Sequence, residues 1–153
     1  MKKLNIYYYG MLVLAVVTAT LCYLLIMKDI VRPIDPMSRW GQAIQYVVIL
    51  DAIITIPFGL WWHKRQCKKW QVTPEQLQNL DDSVKQAYYC SARNRILLVS
   101  NAMILGIAAS YLVGACDPAH QSMLWIAGIS AIGWYFTKPT EKKMYMELQP
   151  ESY

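Results

Sequence analysis

No CxxC cysteine pair, no glycine-rich phosphate loop and no strand pattern alternating apolar with polar residues occurs in this chain of 153 residues. The first absence excludes a quinone-linked thiol oxidase of four helices, which needs closely spaced cysteines, and leaves Cys22, Cys67, Cys90 and Cys116 scattered. Cys22 and Cys116 both fall towards the outer side of the topology derived below, so one bridge there is compatible with it. The second absence removes phosphate-loop enzymes, and the third removes a lipid-facing barrel. Histidine is scarce as well. His63 falls just past an apolar run and His120 in the outer turn at the start of another, so neither a Ser/His/Asp set nor a haem-type histidine pair is present deep within a span.

Charge is the other shortage. Only 16% of the residues are charged against 56% hydrophobic, too apolar a balance for an ordinary soluble domain of this length. The apolar residues gather in four stretches, 7–27, 43–62, 96–115 and 118–136, each close to the ~20 residues that cross a ~30 Å hydrocarbon layer. The expected fold is therefore an all-α integral membrane protein. It is a single domain over 1–153, four transmembrane helices in a compact bundle, with a cytoplasmic helical segment (63–95) between helices two and three and a tail over 137–153. The apolar run after Met1-Lys2-Lys3 reaches Met27, past any Ala-containing cleavage position, and reads as the first span and not a secretory signal.

The formal charge of +5 follows the membrane and not a nucleic-acid partner. Lys2, Lys3, Lys64, Arg65, Lys68, Lys69, Lys85, Arg93, Arg95, Lys138, Lys142 and Lys143 fall on one side; Lys28, Arg32 and Arg39 fall on the other. Basic residues accumulate in cytoplasmic loops, so both termini are expected inside, in a bacterial inner membrane. Trp61, Trp62, Trp134, Tyr135 and Tyr7 to Tyr9 then mark the inner interface, with Tyr23, Trp40, Tyr46, Tyr111 and Trp125 near the outer one.

Between the spans, Pro33 and Pro36 turn the first outer loop. Thr73, Pro74 and Gln76 spell a helix start, followed by Leu77, Leu80, Val84 and Ala87 at helical spacing, which predicts a hairpin or interfacial helix over 74–92. A second helical piece begins at Asp81-Asp82-Ser83 and can run straight into helix three. Asp117-Pro118 opens helix four after a tight turn, and EKKMYMEL (141–148) reads as an amphipathic surface anchor. Gly106, Ser110 and Gly114 line one face of helix three at a spacing of four, and Ala127, Gly128 and Ala131 do likewise on helix four, so close helix packing is expected there.

Asp51 is the one acidic residue placed well inside a span. An ionised carboxylate at mid-bilayer costs roughly 2.5–3.5 kcal/mol on insertion scales, so Asp51 should face the helix interior or water. Pro57 lies six positions later and removes the backbone donor to Ile53, so a kink is expected nearby. Depth counted at 1.5 Å per residue brings Thr18, Thr55, Asn101 and Ser130 near Asp51 as a polar seam. The seam reads either as an interhelical tie or as a proton or cation site. Lys64, Arg65, Lys68 and Lys69, just past helix two, are expected to contact anionic lipid headgroups. His63 and Cys67 share a helical face, but the sequence around them offers no third ligand, so no metal and no other cofactor is expected.

These readings favour a non-catalytic accessory or assembly component of a larger membrane complex, bound to another membrane protein or to itself. The alternatives are a small oligomeric proton- or cation-handling channel or transporter using Asp51, and a lipid-headgroup enzyme with Lys64, Arg93, Asn94 and Arg95 at its inner rim.

Overall fold

The computed structural model describes residues 2–73, 76, 80–113 and 117–149, without the side chains of 117–120. Among the described residues five helices follow in order: α1 (Lys2–Met27), α2 (Arg39–Lys69), α3 (Asp82–Leu112), α4 (Asp117–Phe136) and α5 (Glu141–Leu148). The described chain is otherwise turns and short connections, with one backbone bridge between Ile34 and Val113. α1, α2 and α3 are each long and apolar enough to cross a membrane, as in a multi-pass membrane protein.

Local chemistry sets the helix ends. α1 stops where Asp29 turns into the left-handed region (φ 51°), shortly before Pro33, and the Ile34 N–H donates to the Leu112 carbonyl at 2.8 Å. Ser38 caps α2 by accepting from the Gly41 N–H at 3.1 Å. Gly41 is required at that turn, because a Cβ there would lie 2.2 Å from the Asp35 carbonyl oxygen. α2 runs continuously through Pro57. Thr140 caps α5, its hydroxyl accepting from the Lys143 N–H at 3.2 Å.

α3 is the central element, packed against α1, α2 and α4, while α5 rests on α2. Ala92, Ile96, Val99 and Ala102 on α3 are fully buried. Small residues bring the axes close. A Cβ on Gly106 would meet the Ala127 backbone nitrogen at 3.0 Å, and one on Gly59 would meet Leu98 Cβ at 3.2 Å. Ser110 is buried and Ala127 nearly so, whereas a Cβ on Gly128 would meet nothing within 4 Å. Ala131 is half-buried, and Gly114 lies outside the described residues. At the basic end of the helices, Tyr8 of α1 stacks on Trp134 of α4, centroids 4.0 Å apart and planes within 9°.

Three boundaries differ from expectation. Residues 63–69 extend α2, and 82–95 form the opening turns of α3, so both helices reach into the segment over 63–95; of the expected helical segment over 74–92, residues 74, 75 and 77–79 lie outside the described residues. Adding a residue to a formed helix is cheap, and residues 82–95 bury Tyr88, Ser91 and Ala92 within the chain itself. Of the expected helix start, the Thr73 N–H donates to Gln76 Oε1 at 3.2 Å; Pro74 and Leu77 lie outside the described residues. On α5, expected as a surface anchor, Met144 and Leu148 are buried in the protein core and the Val72 N–H donates to the Leu148 carbonyl, while Tyr145 and Met146 are exposed.

Candidate functional site

The proposed seam residues each take up their own positions. Thr55 Oγ1 donates to the Asp51 backbone carbonyl at 2.7 Å, and Ser130 Oγ donates to the Ile126 carbonyl at 2.7 Å, so both hydroxyls are satisfied by their own helices. Thr18 is half-buried, and Asn101 lies on the exposed side of α3. The Asp51 carboxylate oxygen Oδ2 is buried without a hydrogen-bond partner among the described residues. Asp51 and Thr55 are thus joined through the backbone, and no hydrogen bond among the described residues links Asp51 to Thr18, Asn101 or Ser130.

A denser polar cluster sits just beyond the apolar segments 43–62 and 96–115, at the basic end. Its hub is Glu147 of α5. One carboxylate oxygen, Oε2, accepts from the Tyr88 hydroxyl at 2.7 Å and lies 3.0 Å from His63 Nε2. The other, Oε1, accepts from Arg95 NH1 at 2.9 Å, with Lys143 Nζ at 4.0 Å. The remaining ring nitrogen of His63, Nδ1, is 2.9 Å from Ser91 Oγ, and Cys67 Sγ is 3.5 Å from Nε2. Lys143 also donates to the Phe136 carbonyl. His63, Cys67, Ser91 and Arg95 are buried.

Helical spacing assembles the cluster. His63 and Cys67 are one turn apart on α2, Tyr88, Ser91 and Arg95 recur at three and four on α3, and Lys143 and Glu147 at four on α5. Burial pushes the His63 imidazole below its usual range against the opposing pull of Glu147, so the ring is neutral near pH 7. Glu147 is also desolvated, but the bonds from His63, Tyr88 and Arg95 prevail and hold its carboxyl at about 2. Burial and the nearby carboxylate push the Tyr88 hydroxyl well up, and burial pushes the Cys67 thiol up to about 11. A consistent proton arrangement follows. Neutral His63 donates from Nε2 to ionised Glu147 and accepts at Nδ1 from the Ser91 hydroxyl, while Arg95 balances the carboxylate charge.

A cavity of about 270 Å³ opens beside this cluster, lined by His63, Lys64, Cys67, Lys68, Arg95 and Glu147 among others. Arg95 Nε and NH2 are buried without partners among the described residues. Of the residues expected at lipid headgroups, Lys64 and Lys68 stand at this mouth, Arg65 lies over the Trp61 ring at 5.2 Å, and Lys69 closes α2, all four exposed. Arg93, expected at an enzyme's inner rim, lies over the Tyr7 ring instead, 5.9 Å from its centroid.

Sequence reasoning missed Ser91, Tyr88 and Glu147. The i, i+3, i+7 recurrence of Tyr88, Ser91 and Arg95 on one helical face was a signal for the first two; Glu147, on a different helix, had none. Comparison with known proteins finds no matching family model, no matching curated protein and no matching solved structure.

Proposed function

We propose that this chain is a non-catalytic, four-helix protein of the bacterial inner membrane, with both termini cytoplasmic, that serves as an accessory or assembly component by docking laterally on a helix of another membrane protein. The observation that carries this reading is Asn101. It lies on the exposed side of α3, within an apolar strip of Leu97, Ile104, Ala108 and Leu112 at helical spacing, and no described residue hydrogen-bonds its amide. An unpaired amide in hydrocarbon is costly, and interhelical hydrogen bonds are what relieve it. A groove between α2 and α3, lined by Phe58, Trp62, Asn94, Leu97 and Leu98, continues the strip towards the basic end. Lys64, Arg65, Lys68 and Lys69 beside it attract anionic headgroups.

A photocrosslinker placed at Leu97 or Ile104 in cells tests the reading, with exposed Val13 on α1 as the lipid-facing reference. A discrete protein adduct from the α3 positions, absent at Val13 and lost in Asn101→Leu, is the expected result. Equal labelling of lipid at all three positions, with Asn101→Leu fully functional in cells, refutes it. An adduct between two copies would replace the foreign partner with a homo-oligomer.

Proton or cation handling by an oligomer is the second reading, favoured by the buried, unpartnered Oδ2 of Asp51.

A further inference from the structure

We propose that His63, Cys67 and Glu147 form a binding site for a divalent transition metal, with zinc the ion that fits best. The three ligand atoms, His63 Nε2, Cys67 Sγ and a Glu147 carboxylate oxygen, lie within 4.8 Å of one another. Zinc bonds of about 2.0–2.1 Å to nitrogen, 2.3 Å to sulfur and 2.0–2.2 Å to oxygen, at tetrahedral angles, set nitrogen and sulfur roughly 3.5 Å apart and nitrogen and oxygen roughly 3.4 Å apart. His63 Nε2 is 3.5 Å from Cys67 Sγ and 3.0 Å from Glu147 Oε2. The two distances that meet at His63 Nε2 thus come within a few tenths of an ångström of those around a bound zinc, and the sulfur and the carboxylate oxygen lie within 4.8 Å of each other.

The groups behind the ligands suit the same purpose. A histidine ligand is oriented by a hydrogen bond at its other nitrogen, and His63 Nδ1 has Ser91 Oγ at 2.9 Å. A hydroxyl both donates and accepts, so Ser91 supports the Nε2-protonated ring that bonds Glu147 and equally the Nδ1-protonated ring that offers Nε2 to a metal. Tyr88 and Arg95 hold the Glu147 carboxylate in place at 2.7 and 2.9 Å. Mixed nitrogen, sulfur and oxygen donors favour zinc over calcium or magnesium, which select oxygen alone. Three protein ligands leave the fourth position for water or an anion, and the adjoining cavity of about 270 Å³ supplies room for it.

The proton balance is definite. The imidazole is neutral and only exchanges its proton between ring nitrogens, and the carboxylate is already ionised. The one group that loses a proton is the Cys67 thiol, since the thiolate is the form that ligates a metal. Binding releases one proton per ion to solvent, so affinity rises with pH until hydroxide competes.

The full-length protein, purified in mild detergent and stripped with chelator, would be titrated with Co(II) and then Zn(II). One Co(II) per chain with a thiolate-to-cobalt charge-transfer band and release of one proton, then displacement by Zn(II) with loss of the band and no further proton, is the expected result. Cys67→Ser should lose the band and weaken binding at least about tenfold, while Cys90→Ser, at an exposed thiol, should change neither. Helical circular dichroism checks that Cys67→Ser remains folded. Protection of Cys67 from alkylation by Zn(II) in the unmodified chain, with Cys90 unaffected, gives a readout free of substitution. Co(II) binding without the band, or a band that survives Cys67→Ser, overturns the proposal.

Discussion

Replacing Glu147 by Gln keeps the size of the side chain and removes its charge, which isolates what the carboxylate does for the docking of α5. In the native protein the carboxyl is held at about 2 against an ordinary 4.5. At about 1.36 kcal/mol per pH unit this difference corresponds to about 3 kcal/mol at neutral pH. Removing one member of a buried ion pair costs about 3–5 kcal/mol by another route, which agrees in scale, because Arg95 would keep its charge with no anion beside it. Cys67 reports the result. It is buried next to Met144 and Leu148, so reagent reaches it when α5 lifts away. A loss of about 3 kcal/mol raises the undocked fraction, and with it the alkylation rate of Cys67, about 150-fold. Rates read by peptide mass spectrometry and normalised to exposed Cys90 in the same molecule separate this from changes in reagent or detergent. The pH dependence follows in sign. Glu147, with its depressed value, contributes fully above about pH 4.5 and progressively less as pH falls towards 2. His63, lowered from 6.5, also favours the docked state above that value and opposes it as acid protonates the undocked ring first. Both effects loosen α5 in acid; in Glu147→Gln the part that develops between about pH 4.5 and 2 should vanish, while the His63 part, below 6.5, should remain. A change of less than about threefold in Cys67 reactivity would refute the assignment of Glu147 as the group that holds α5.

Two further substitutions probe the helices. Gly106→Leu would drive a side chain into the Ala127 backbone, 3.0 Å from where its Cβ would stand, and should cost about 1–3 kcal/mol or more in resistance to unfolding, whereas Gly128→Leu, facing open space, should be neutral within about 0.5 kcal/mol. Asp51→Asn should leave thermal stability in detergent nearly unchanged, since Oδ2 makes no hydrogen bond within the described chain; abolition of a pH-gradient-driven flux in liposomes by that substitution would favour the proton- or cation-handling reading over the accessory one.

Hydropathy located the helices because the cost of a polar residue in hydrocarbon is large and local. It could not locate their ends, since the apolar run reports where a helix meets the membrane and not where its hydrogen bonding stops; α2 continues past Trp62 to Lys69, and α3 begins at Asp82. The approach of helix three to helix four was legible at Gly106, because a missing side chain permits contact wherever the partner lies. The Glu147 cluster was not. Its bonds to Arg95 and His63 span 52 and 84 positions, and no local pattern encodes a separation of that kind. EKKMYMEL shows an apolar face, but Met144 and Leu148 satisfy a bilayer and a protein core equally well on pattern alone. Asn101 and Asp51 were placed together by depth, which fixes height along a helix and leaves rotation undetermined; Asn101 faces outward.

The long separations within the cluster also set an order in time. Translation at about 5–20 residues per second delivers Glu147 roughly 4–17 s after His63 and roughly 3–10 s after Arg95. Through that interval the Arg95 guanidinium has no carboxylate, so α2 and α3 insert and pair while their basic ends are still wet. The last contact to form is the one that dries them.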